Sequence, residues 1–382
     1  MNKLILTSMR RSAGKTSMAV GIGLNSGIGV RESRIGTRDA RAANRESRIS
    51  DRGSMFSEFG IQKSKLGYIK PFGDRLLYRE KHLWDYDAAL MRDVFGLESN
   101  PEEMSIGFQH SKLRYMYSED ATKKKILEMV ERAGKNKDLL IIEGGMYLSY
   151  GASVRLDAIS IAKCFDDEKL VIVVGGNEDA IMDDIAFIKK YVDLKNVNFS
   201  GIIINKVRDV GDFKDTHLGS IKEMGVDVLG VVPHKPELTY MPVRYVADSL
   251  DAKVIAGEGG LDKLVKCTTV GAMSVTAAMQ NPIFKKEGKL LITAGDRSDM
   301  VLAAIESNTS CIVLTNDIIP PSNIISKAAD ANVPLLLVPW DTYQTTMRVE
   351  HIEPLLTKGD AEKIETIKEI VKKNVNLKEI LG

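Results

Sequence analysis

The sequence contains few cysteines, and its histidines form no pattern that suggests a metal centre. The three cysteines, Cys164, Cys267 and Cys311, lie far apart and form no Cys-x-x-Cys pair. This spacing argues against a disulfide framework and a thiolate zinc site, and it favours a reducing, cytoplasmic environment. The five histidines show no His-x-x-x-His or His-Glu-x-x-His spacing, so a metal site built from histidines is not expected.

Long apolar runs and an excess of one charge are also lacking. Lysine and arginine total 53 and aspartate and glutamate 52, which gives a net charge of +1. This balance argues against a nucleic-acid partner unless the charge is segregated locally. No apolar run approaches the roughly 18 residues that a membrane span needs. The short apolar run 4–6 leads directly into a motif, so we do not expect a signal peptide. A cytoplasmic protein without a membrane partner is therefore expected.

What the sequence does contain is the pattern of an α/β protein. Short apolar runs alternate with longer segments of helical spacing, which is typical of a parallel sheet with helices on both faces. At roughly 150 residues per domain, the length predicts about two to three domains. We predict a first α/β domain over residues 1–245, a smaller α/β domain over 250–355 and a C-terminal helix over 356–382.

One stretch, residues 28–65, differs in composition from the rest. The sequence RESRI occurs twice in it, at 31–35 and 45–49, and seven arginines stand among four acidic residues between positions 31 and 52. With few large apolar side chains, the segment cannot bury enough surface to offset the entropy of ordering it. We predict a disordered, arginine-rich insertion. A basic arm for phosphates or RNA is the alternative.

The sharpest local signal follows the first apolar run. Gly14-Lys15-Thr16-Ser17 closes a loop between a predicted strand and a predicted helix, which is the context that a phosphate-binding P-loop requires. Gly14 lets backbone amides point at phosphate oxygens, Lys15 neutralises phosphate charge, and the Thr16 hydroxyl can hold Mg²⁺. Met9 stands where the strict motif has its first glycine, so a simple turn is the alternative. The cofactor-binding residues predicted in this loop are Ser12, Ala13, Gly14, Lys15, Thr16 and Ser17.

Other predicted strands end in residues that suit the same ligand. The apolar run 139–142 leads to Glu143 and then Gly144. A carboxylate at the carboxyl end of a strand can hold a metal ion, and a glycine there lets the backbone approach a γ-phosphate. Lys70 and Pro233 end two other predicted strands, and Asn205 ends a third, where its amide can pair with a purine edge. An ordinary strand–turn junction is the alternative at each position.

The first 240 or so positions resemble the dethiobiotin synthetase branch of the P-loop NTPases. The matching elements are Gly14-Lys15-Thr16, Gly67-Tyr68-Ile69-Lys70-Pro71, Ile142-Glu143-Gly144-Gly145, Asn205 and Val232-Pro233. The resemblance implies a P-loop sheet that binds ATP and Mg²⁺, with Lys15, Lys70 and Glu143 as catalytic residues. It also implies a metal site formed by Thr16, Asp87 and Glu143.

The second predicted domain resembles the DRTGG domain. The domain is named after the sequence Asp-Arg-Thr-Gly-Gly. Asp296 and Arg297 match its first two residues, and Ser298, Asp299 and Met300 replace its threonine and two glycines. This order of domains is similar to the N-terminal, regulatory portion of long phosphate acetyltransferases. Those proteins carry a further catalytic domain with no counterpart in these 382 residues, so acetyl transfer is not expected of this chain by itself. We expect Asp296 and Arg297 to form an ion pair or to bind a small anionic effector.

Three functions follow from these patterns. The preferred hypothesis is a regulatory protein that binds ATP and Mg²⁺. The alternative is an ATP-dependent synthetase of the dethiobiotin synthetase type, acting on an unknown carboxylate or amine substrate. The third, an assembly partner that has lost nucleotide binding, is disfavoured by the intact Gly14-Lys15-Thr16 and Glu143. A protein partner and a homo-oligomer stay open.

Overall fold

The chain forms two compact units. The computed structural model describes residues 1–27, 65–79 and 81–382. The predicted insertion 28–65 therefore lies, except for its last residue, outside the described residues. One unit comprises Met1–His234 together with Leu356–Gly382, and the other comprises Lys235–Leu355. The domain bounds predicted from the sequence stay predictions, because this division into units does not test them.

The first unit contains a parallel sheet, as the alternation of apolar runs predicts. The described residues form one six-stranded sheet in the order β2-β5-β1-β6-β7-β8, and β3 and β4 form a separate antiparallel hairpin. All five residues of β5 are buried, because helices cover both faces of a parallel sheet. The strands are β1 (Asn2–Ser8), β2 (Leu66–Ile69), β3 (Leu76–Arg79), β4 (His82–Asp85), β5 (Leu139–Glu143), β6 (Glu168–Gly175), β7 (Phe199–Val207) and β8 (Val228–Pro233).

The helices of the first unit begin at recognisable caps. The Ser118 and Asn177 side chains each accept a hydrogen bond from the backbone amide three positions on, in the first turn of the helix that follows. Each of these two helices has two acidic residues in its first turn, where they complement the helix dipole. The helices are α1 (Lys15–Asn25), α2 (Tyr86–Phe95), α3 (His110–Met116), α4 (Glu119–Gly134), α5 (Ala158–Ala162), α6 (Glu178–Tyr191) and α7 (Val210–Glu223), with 3₁₀ turns at Pro101–Met104 and Ala152–Val154.

The register of the sheet brings the predicted site residues to one edge. Every neighbouring pair in the six-stranded sheet is parallel, so the carboxyl ends of the strands meet at the same edge. Leu6 of β1 pairs with Glu143 of β5, and Gly175 of β6 pairs with Asn205 of β7. The loop that follows β1 therefore lies between the ends of β5 and β6.

The second unit is a smaller α/β structure. Its described residues form a five-stranded sheet in the order β10-β15-β14-β13-β12, in which only β10 runs antiparallel to its neighbour, and β9 pairs with β11. The strands are β9 (Met241–Pro242), β10 (Lys253–Ala256), β11 (Leu264–Val265), β12 (Cys267–Val270), β13 (Lys289–Ala294), β14 (Thr309–Thr315) and β15 (Leu335–Leu337). The helices are α8 (Val243–Ser249), α9 (Val275–Gln280), α10 (Ser298–Ile305), α11 (Ser322–Asp330) and α12 (Thr342–Glu350), with 3₁₀ turns at Pro236–Thr239 and Glu258–Gly260.

The C-terminal segment returns to the first unit. It forms α13 (Ala361–Asn374) and α14 (Leu377–Leu381). A Cβ on Gly21 of α1 would lie 2.4 Å from Val371 Cγ2 of α13, so the two helices approach each other closely. Val375 also forms an isolated bridge with Gly230 of β8. In the part of the chain that the structure describes, no helix is long and apolar enough to cross a membrane.

Candidate functional site

The loop between β1 and α1 has a backbone that requires glycine. Gly14 precedes α1 with φ +91°, in the left-handed region that side chains rarely adopt. A Cβ there would also lie 2.3 Å from Asn205 Nδ2, so Gly14 is needed both for its conformation and for the space it leaves. Ser12 has φ +57°, a left-handed conformation that costs a residue with a side chain about 1–2 kcal/mol. The loop is therefore held in a strained shape.

Lys15 lies at the start of α1 and reaches the turn after β5. Its Nζ donates to Gly144 O at 2.9 Å and to Gly145 O at 2.6 Å, and it lies 3.6 Å from Glu143 Oε1. The two carbonyls are neutral acceptors, whereas hydrogen bonds from an ammonium to an ionised phosphate are stronger. A phosphate group entering this loop can therefore replace the carbonyls as the partner of Lys15.

Glu143 lies at the centre of the edge and has a partner for each oxygen. Thr16 Oγ1 donates to its Oε1 at 2.8 Å, and Tyr68 OH donates to its Oε2 at 2.9 Å. Burial raises the pKa of Glu143, and repulsion from Asp87 adds to the increase, while attraction to Lys15 opposes it. Burial raises the pKa of Tyr68 well above its usual value, and the nearby Glu143 charge raises it further. Tyr68 therefore stays a neutral donor to this carboxylate.

Lys70 lies at the end of β2, within a group of three aspartates. Its Nζ lies 2.5 Å from Asp74 Oδ1, 2.6 Å from Asp87 Oδ2 and 3.2 Å from Asp85 Oδ2. Burial alone would lower the pKa of Lys70, but attraction to Asp87, Asp85 and Asp74 outweighs it and raises this pKa well above its usual value. Lys70 is fully buried, so its positive charge is balanced inside the protein.

The two aspartates before and inside α2 have opposite pKa shifts. Burial raises the pKa of Asp85 although Lys70 opposes it, and its carboxylate also accepts from the backbone amides of Asp87 and Ala88 at the start of α2. For Asp87, attraction to Lys70 and then to Arg75 outweighs burial and lowers the pKa to about 2. Asp87 is therefore the more strongly ionised of the two.

Asn205 and Lys206 contact the loop after β1. Asn205 Nδ2 donates to Ala13 O at 2.8 Å, and Lys206 Nζ donates to Ser12 O at 2.7 Å. The Asn205 amide thus contacts the backbone of the loop, whereas the sequence predicted a purine edge as its partner. Pro233 ends β8, which is separated from β1 by β6 and β7.

The remaining predicted residues lie near these contacts. Gly144 N donates to Leu6 O at 2.9 Å, which continues the pairing of β1 with β5. Ser17 lies in the first turn of α1 and is partly buried. The structure therefore brings together the loop, Thr16, Glu143 and Gly144.

Four contributors to this cluster were not predicted from the sequence. Tyr68 contacts Glu143, Asp74 and Asp85 contact Lys70, and Arg75 contacts Asp87. Tyr68 lies on β2, two positions before Lys70, which directly follows that strand. Side chains at i and i+2 of an extended chain point to the same face. That spacing is the signal by which Tyr68 can be found. Asp74 lies in the connection after β2 and has no such signal.

The oxygen atoms at this edge fit a magnesium ion that also binds phosphate. Within the described residues, no group of three or more His, Cys, Asp and Glu side chains has the arrangement of a metal site. Mg²⁺ typically takes only one or two carboxylates and completes its shell with phosphate oxygens and water. The Thr16 hydroxyl and the Glu143 carboxylate are hard oxygen ligands that lie side by side, so they match that partial set.

In the second unit, Arg297 binds backbone carbonyls. Its Nη2 donates to Met273 O at 2.9 Å and its Nη1 to Gly271 O at 3.3 Å. Arg297 Nε lies 3.4 Å from Asp299 Oδ1. The sequence predicted Asp296 as the partner of Arg297 in an ion pair. Arg297 therefore ties the turn after β12 to the start of α10.

Two family models match the chain in succession. A model described as an AAA domain matches residues 56–241, and the model of the DRTGG domain matches residues 245–352. The chain carries a P-loop AAA domain followed by a DRTGG domain. This order confirms the resemblance that the motifs indicated. The first match includes Lys70, Glu143 and Asn205, whereas the loop after β1 precedes it.

Relatives of this chain include phosphate acetyltransferases. The protein from Pseudomonas putida is 27% identical over 281 residues, which cover 66% of this chain and 38% of that protein. Those from Synechocystis sp. and Escherichia coli are 27% and 22% identical, over 63% of this chain and 36% and 38% of each protein. The chain thus spans less than two fifths of these relatives, and it is related to their N-terminal part.

A solved structure with partial similarity contains a DRTGG domain. It comprises the CBS and DRTGG domains of the regulatory region of Clostridium perfringens pyrophosphatase, complexed with its activator diadenosine tetraphosphate. The identity is 21% and the TM-score 0.25, over 34% of this chain and 49% of that one.

Proposed function

We propose that the P-loop AAA domain binds ATP together with Mg²⁺, and that this binding serves a regulatory role. The observation that carries the proposal is the convergence of three side chains at the carboxyl edge of the sheet. Thr16 Oγ1 lies 2.8 Å from Glu143 Oε1, and Lys15 Nζ lies 3.6 Å from the same oxygen. A phosphate-binding lysine, a hydroxyl and a carboxylate in contact are the set that a nucleotide and its metal ion require.

The start of α1 supplies the rest of the phosphate site. Backbone amides at the N-terminus of a helix point at the ligand, and the helix dipole favours negative charge there. Lys15 exchanges the Gly144 and Gly145 carbonyls for phosphate oxygens. When bound, Mg²⁺ would neutralise charge on the phosphates, and Thr16 and Glu143 would hold it.

The charge of the cluster also favours a cation. Three basic groups share this edge with four carboxyl groups: Lys15, Lys70 and Arg75 against Asp74, Asp85, Asp87 and Glu143. The raised pKa values of Asp85 and Glu143 have burial as their largest cause and repulsion from Asp87 among the others. A divalent cation beside Glu143 would relieve that repulsion, which supports Mg²⁺ as the companion of the nucleotide.

The surroundings of Lys70 favour regulation over a synthetase reaction. A synthetase needs positive charge that is preorganised and aimed at the transferring phosphoryl group. Lys70 is fully buried and contacts three aspartates, so it is not presented to such a group. The relation to the N-terminal part of phosphate acetyltransferases agrees with an accessory role. The cytoplasmic location expected from the sequence stays a prediction.

Titration calorimetry with ATP·Mg²⁺ and GTP·Mg²⁺ tests the binding site, with phosphate release followed in the same samples. We expect saturable binding of ATP·Mg²⁺ by the wild type and about a 100-fold weaker affinity for Lys15→Ala, because several charge-assisted hydrogen bonds are lost. Lys327→Ala is the matched control, since Lys327 forms an exposed pair with Glu306 in the second unit. Equal affinities for wild type and Lys15→Ala would overturn the site.

The regulatory role has a test of its own. Hydrogen exchange across residues 245–352 is compared with and without saturating ATP·Mg²⁺. Altered exchange in the DRTGG domain, together with negligible phosphate release, is the expected result. Fast release with no change in residues 245–352 would favour the synthetase hypothesis instead.

A further inference from the structure

We infer that Arg10 is a further phosphate-binding residue of the loop after β1, and that Asp184 of α6 holds its guanidinium in place for an ionised phosphoryl group. This role rests on the proposed nucleotide site. It adds a cation at the opposite end of the loop from Lys15, together with the acidic residue that positions it.

The start of the loop is fixed against the sheet and lies beside α6. Met9 N donates to Val173 O of β6 at 3.2 Å. The partly buried Met9 side chain packs against a core cluster that contains Ile5 of β1 and Ile181 of α6. Arg10 directly follows this anchored residue. It therefore lies at the carboxyl edge of the sheet, where parallel α/β sheets bind their ligands.

Asp184 holds one side of the Arg10 guanidinium. Arg10 Nε donates to Asp184 Oδ2 at 2.8 Å. The Asp184 side chain is only 9% exposed, whereas that of Arg10 is 51% exposed. A charge-assisted bond of this length is strong, so it restricts a side chain that otherwise adopts many rotamers. The guanidinium is thus anchored from the protein side and reaches solvent on its other side.

The two terminal nitrogens of Arg10 stay available to a ligand. Among the described residues, Arg10 Nη1 and Nη2 have no hydrogen-bond acceptor. Arg297 differs, since its Nη1 and Nη2 both donate to backbone carbonyls. Arg92 differs as well, since it donates both Nε and Nη2 to Asp93. A guanidinium held through Nε presents a planar pair of donors that matches two oxygens of one phosphate group.

The charges at this edge favour an anion beside Arg10. Asp184 is buried behind Nε, so the exposed side of the pair is positive. At the end of the loop, Lys15 shares its surroundings with the carboxylate of Glu143, 3.6 Å away. A phosphate chain bound by the amides of the loop therefore gains a second cation from Arg10, five positions before Lys15.

Titration calorimetry with ATP·Mg²⁺ compares wild type with Arg10→Ala. We expect about a tenfold loss of affinity, as for a hydrogen bond to a charged group. Arg244→Ala is the matched control, because Arg244 is 57% exposed and pairs with an exposed aspartate, Asp262, in the second unit. It removes the same charge away from the loop and should change the affinity by less than about twofold. An equal loss in both variants would reduce the effect to net charge and overturn the inference.

Inorganic phosphate, titrated into protein saturated with ATP·Mg²⁺, shows which molecule supplies the phosphoryl group. A loss of ATP affinity in Arg10→Ala, with no binding of inorganic phosphate to wild type, assigns Arg10 to the nucleotide. Unchanged ATP affinity, with phosphate binding that Arg10→Ala abolishes, assigns it to a separate phosphate ion. Both results support a phosphate-binding role. Unchanged affinities for both ligands would overturn it.

Asp184→Ala tests the positioning role. It should weaken ATP·Mg²⁺ binding by about threefold, as for the loss of one modest contact. The double variant with Arg10→Ala should bind no more weakly than Arg10→Ala alone, because Asp184 acts through Arg10. Tighter binding by Asp184→Ala would mean that Asp184 keeps Arg10 away from the ligand, and additive losses would mean that it acts elsewhere. Either result would overturn the positioning role.

Conservative variants keep the test informative if an alanine variant does not fold. Arg10→Lys keeps the charge but cannot bind Asp184 and also offer a planar pair of donors, so a partial loss of affinity is expected. Full affinity in Arg10→Lys would overturn the role of the guanidinium. Asp184→Asn keeps an acceptor for Arg10 Nε and should lose less affinity than Asp184→Ala.

Inorganic tripolyphosphate with Mg²⁺ separates this inference from the proposed function. If wild type binds no ATP·Mg²⁺ but binds tripolyphosphate in a manner that requires Arg10, the nucleotide role is wrong and the role of Arg10 stands. If Lys15→Ala loses ATP binding while Arg10→Ala binds both ligands like wild type, the nucleotide site stands and the role of Arg10 is wrong. Wild type that binds neither ligand nor inorganic phosphate would overturn both.

Discussion

Thr16 and Glu143 lie 127 residues apart in the chain, and the Thr16 hydroxyl donates to the Glu143 carboxylate at 2.8 Å. This bond joins the first turn of α1 to the end of β5. It exists because β1 and β5 are adjacent and parallel, with Leu6 paired to Glu143. The proposed metal site therefore depends on sheet order as much as on the loop motif.

The hydrogen bond from Tyr68 to Glu143 predicts a loss of stability in Tyr68→Phe. The bond is buried and measures 2.9 Å, and its removal leaves one carboxylate oxygen without this donor. We expect the free energy of unfolding to fall by about 2 kcal/mol, as for a hydrogen bond to a charged group. Denaturation in urea measures it. Tyr86→Phe, which removes a 3.2 Å bond to the neutral Leu356 carbonyl, should cost about half as much, and a larger loss there would contradict the assignment.

Removal of Lys70 should destabilise the fold far more than removal of an exposed lysine. Lys70→Met leaves Asp74, Asp85 and Asp87 without their shared cation in a buried site, which typically costs about 3–5 kcal/mol. Lys65→Met is the control, because the Lys65–Asp138 pair is more than half exposed on both sides and contributes under about 1 kcal/mol. Similar denaturation midpoints for the two variants would show that the charge of Lys70 is dispensable.

The lowered pKa of Asp87 predicts how stability changes in acid. Folding lowers this pKa from 3.8 to about 2, so the folded state favours the charged carboxylate. The resulting stability is complete above about pH 5 and is lost as the pH falls toward 2, and it amounts to about 2 kcal/mol. The cost of Asp87→Asn, measured as the difference in unfolding free energy from wild type, should therefore shrink as the pH falls from 7 toward 3.

Asp262→Asn serves as the comparison for that pH series, since Asp262 is 87% exposed in its pair with Arg244. Its difference from wild type should stay near zero at every pH. A cost of Asp87→Asn that is constant from pH 7 to 3 would mean that the carboxylate gains nothing from Lys70 and Arg75.

The close approach of α1 and α13 predicts opposite effects for two glycine-to-alanine changes. Gly21→Ala places a Cβ 2.4 Å from Val371 Cγ2, and we expect a loss of about 1–2 kcal/mol because overpacking outweighs the gain in helix propensity. Gly219→Ala, within α7 and with no atom inside 4 Å of its Cβ, should gain about 0.5–1 kcal/mol. Thermal or urea unfolding measures both. Val371→Ala in the Gly21→Ala background should restore part of the loss.

Local patterns predicted much of the fold. The predicted strand 139–143 has the bounds that the structure gives to β5, because a buried central strand is a continuous apolar run with clear ends. By contrast, β12 covers only the first half of the run 267–274. It ends at Val270, since Gly271 begins a turn and Ser274 caps α9. Here the turn residues override the apolar pattern.

The surroundings of Lys70 could not be predicted in the same way. The sequence places it at a strand end, but its partners Asp74, Asp85 and Asp87 come from the following connection, the end of β4 and the start of α2. Which side chains meet there depends on how the hairpin and α2 fold back, and no periodicity encodes that. The roles predicted for Lys15, Thr16 and Glu143 rest on a local motif and stay predictions, although the structure brings the three together.

The return of α13 to α1 has a consequence for the order of folding. The chain leaves the first unit after His234 and rejoins it at Leu356, so α13 can cover α1 only by closing a loop of about 120 residues, which carries an entropic cost that grows with loop length. Contacts of such long sequence separation form slowly. Prior folding of the intervening segment shortens the distance that the loop must close. The returning helices α13 and α14 are therefore expected to be the last elements of that unit to become protected from solvent.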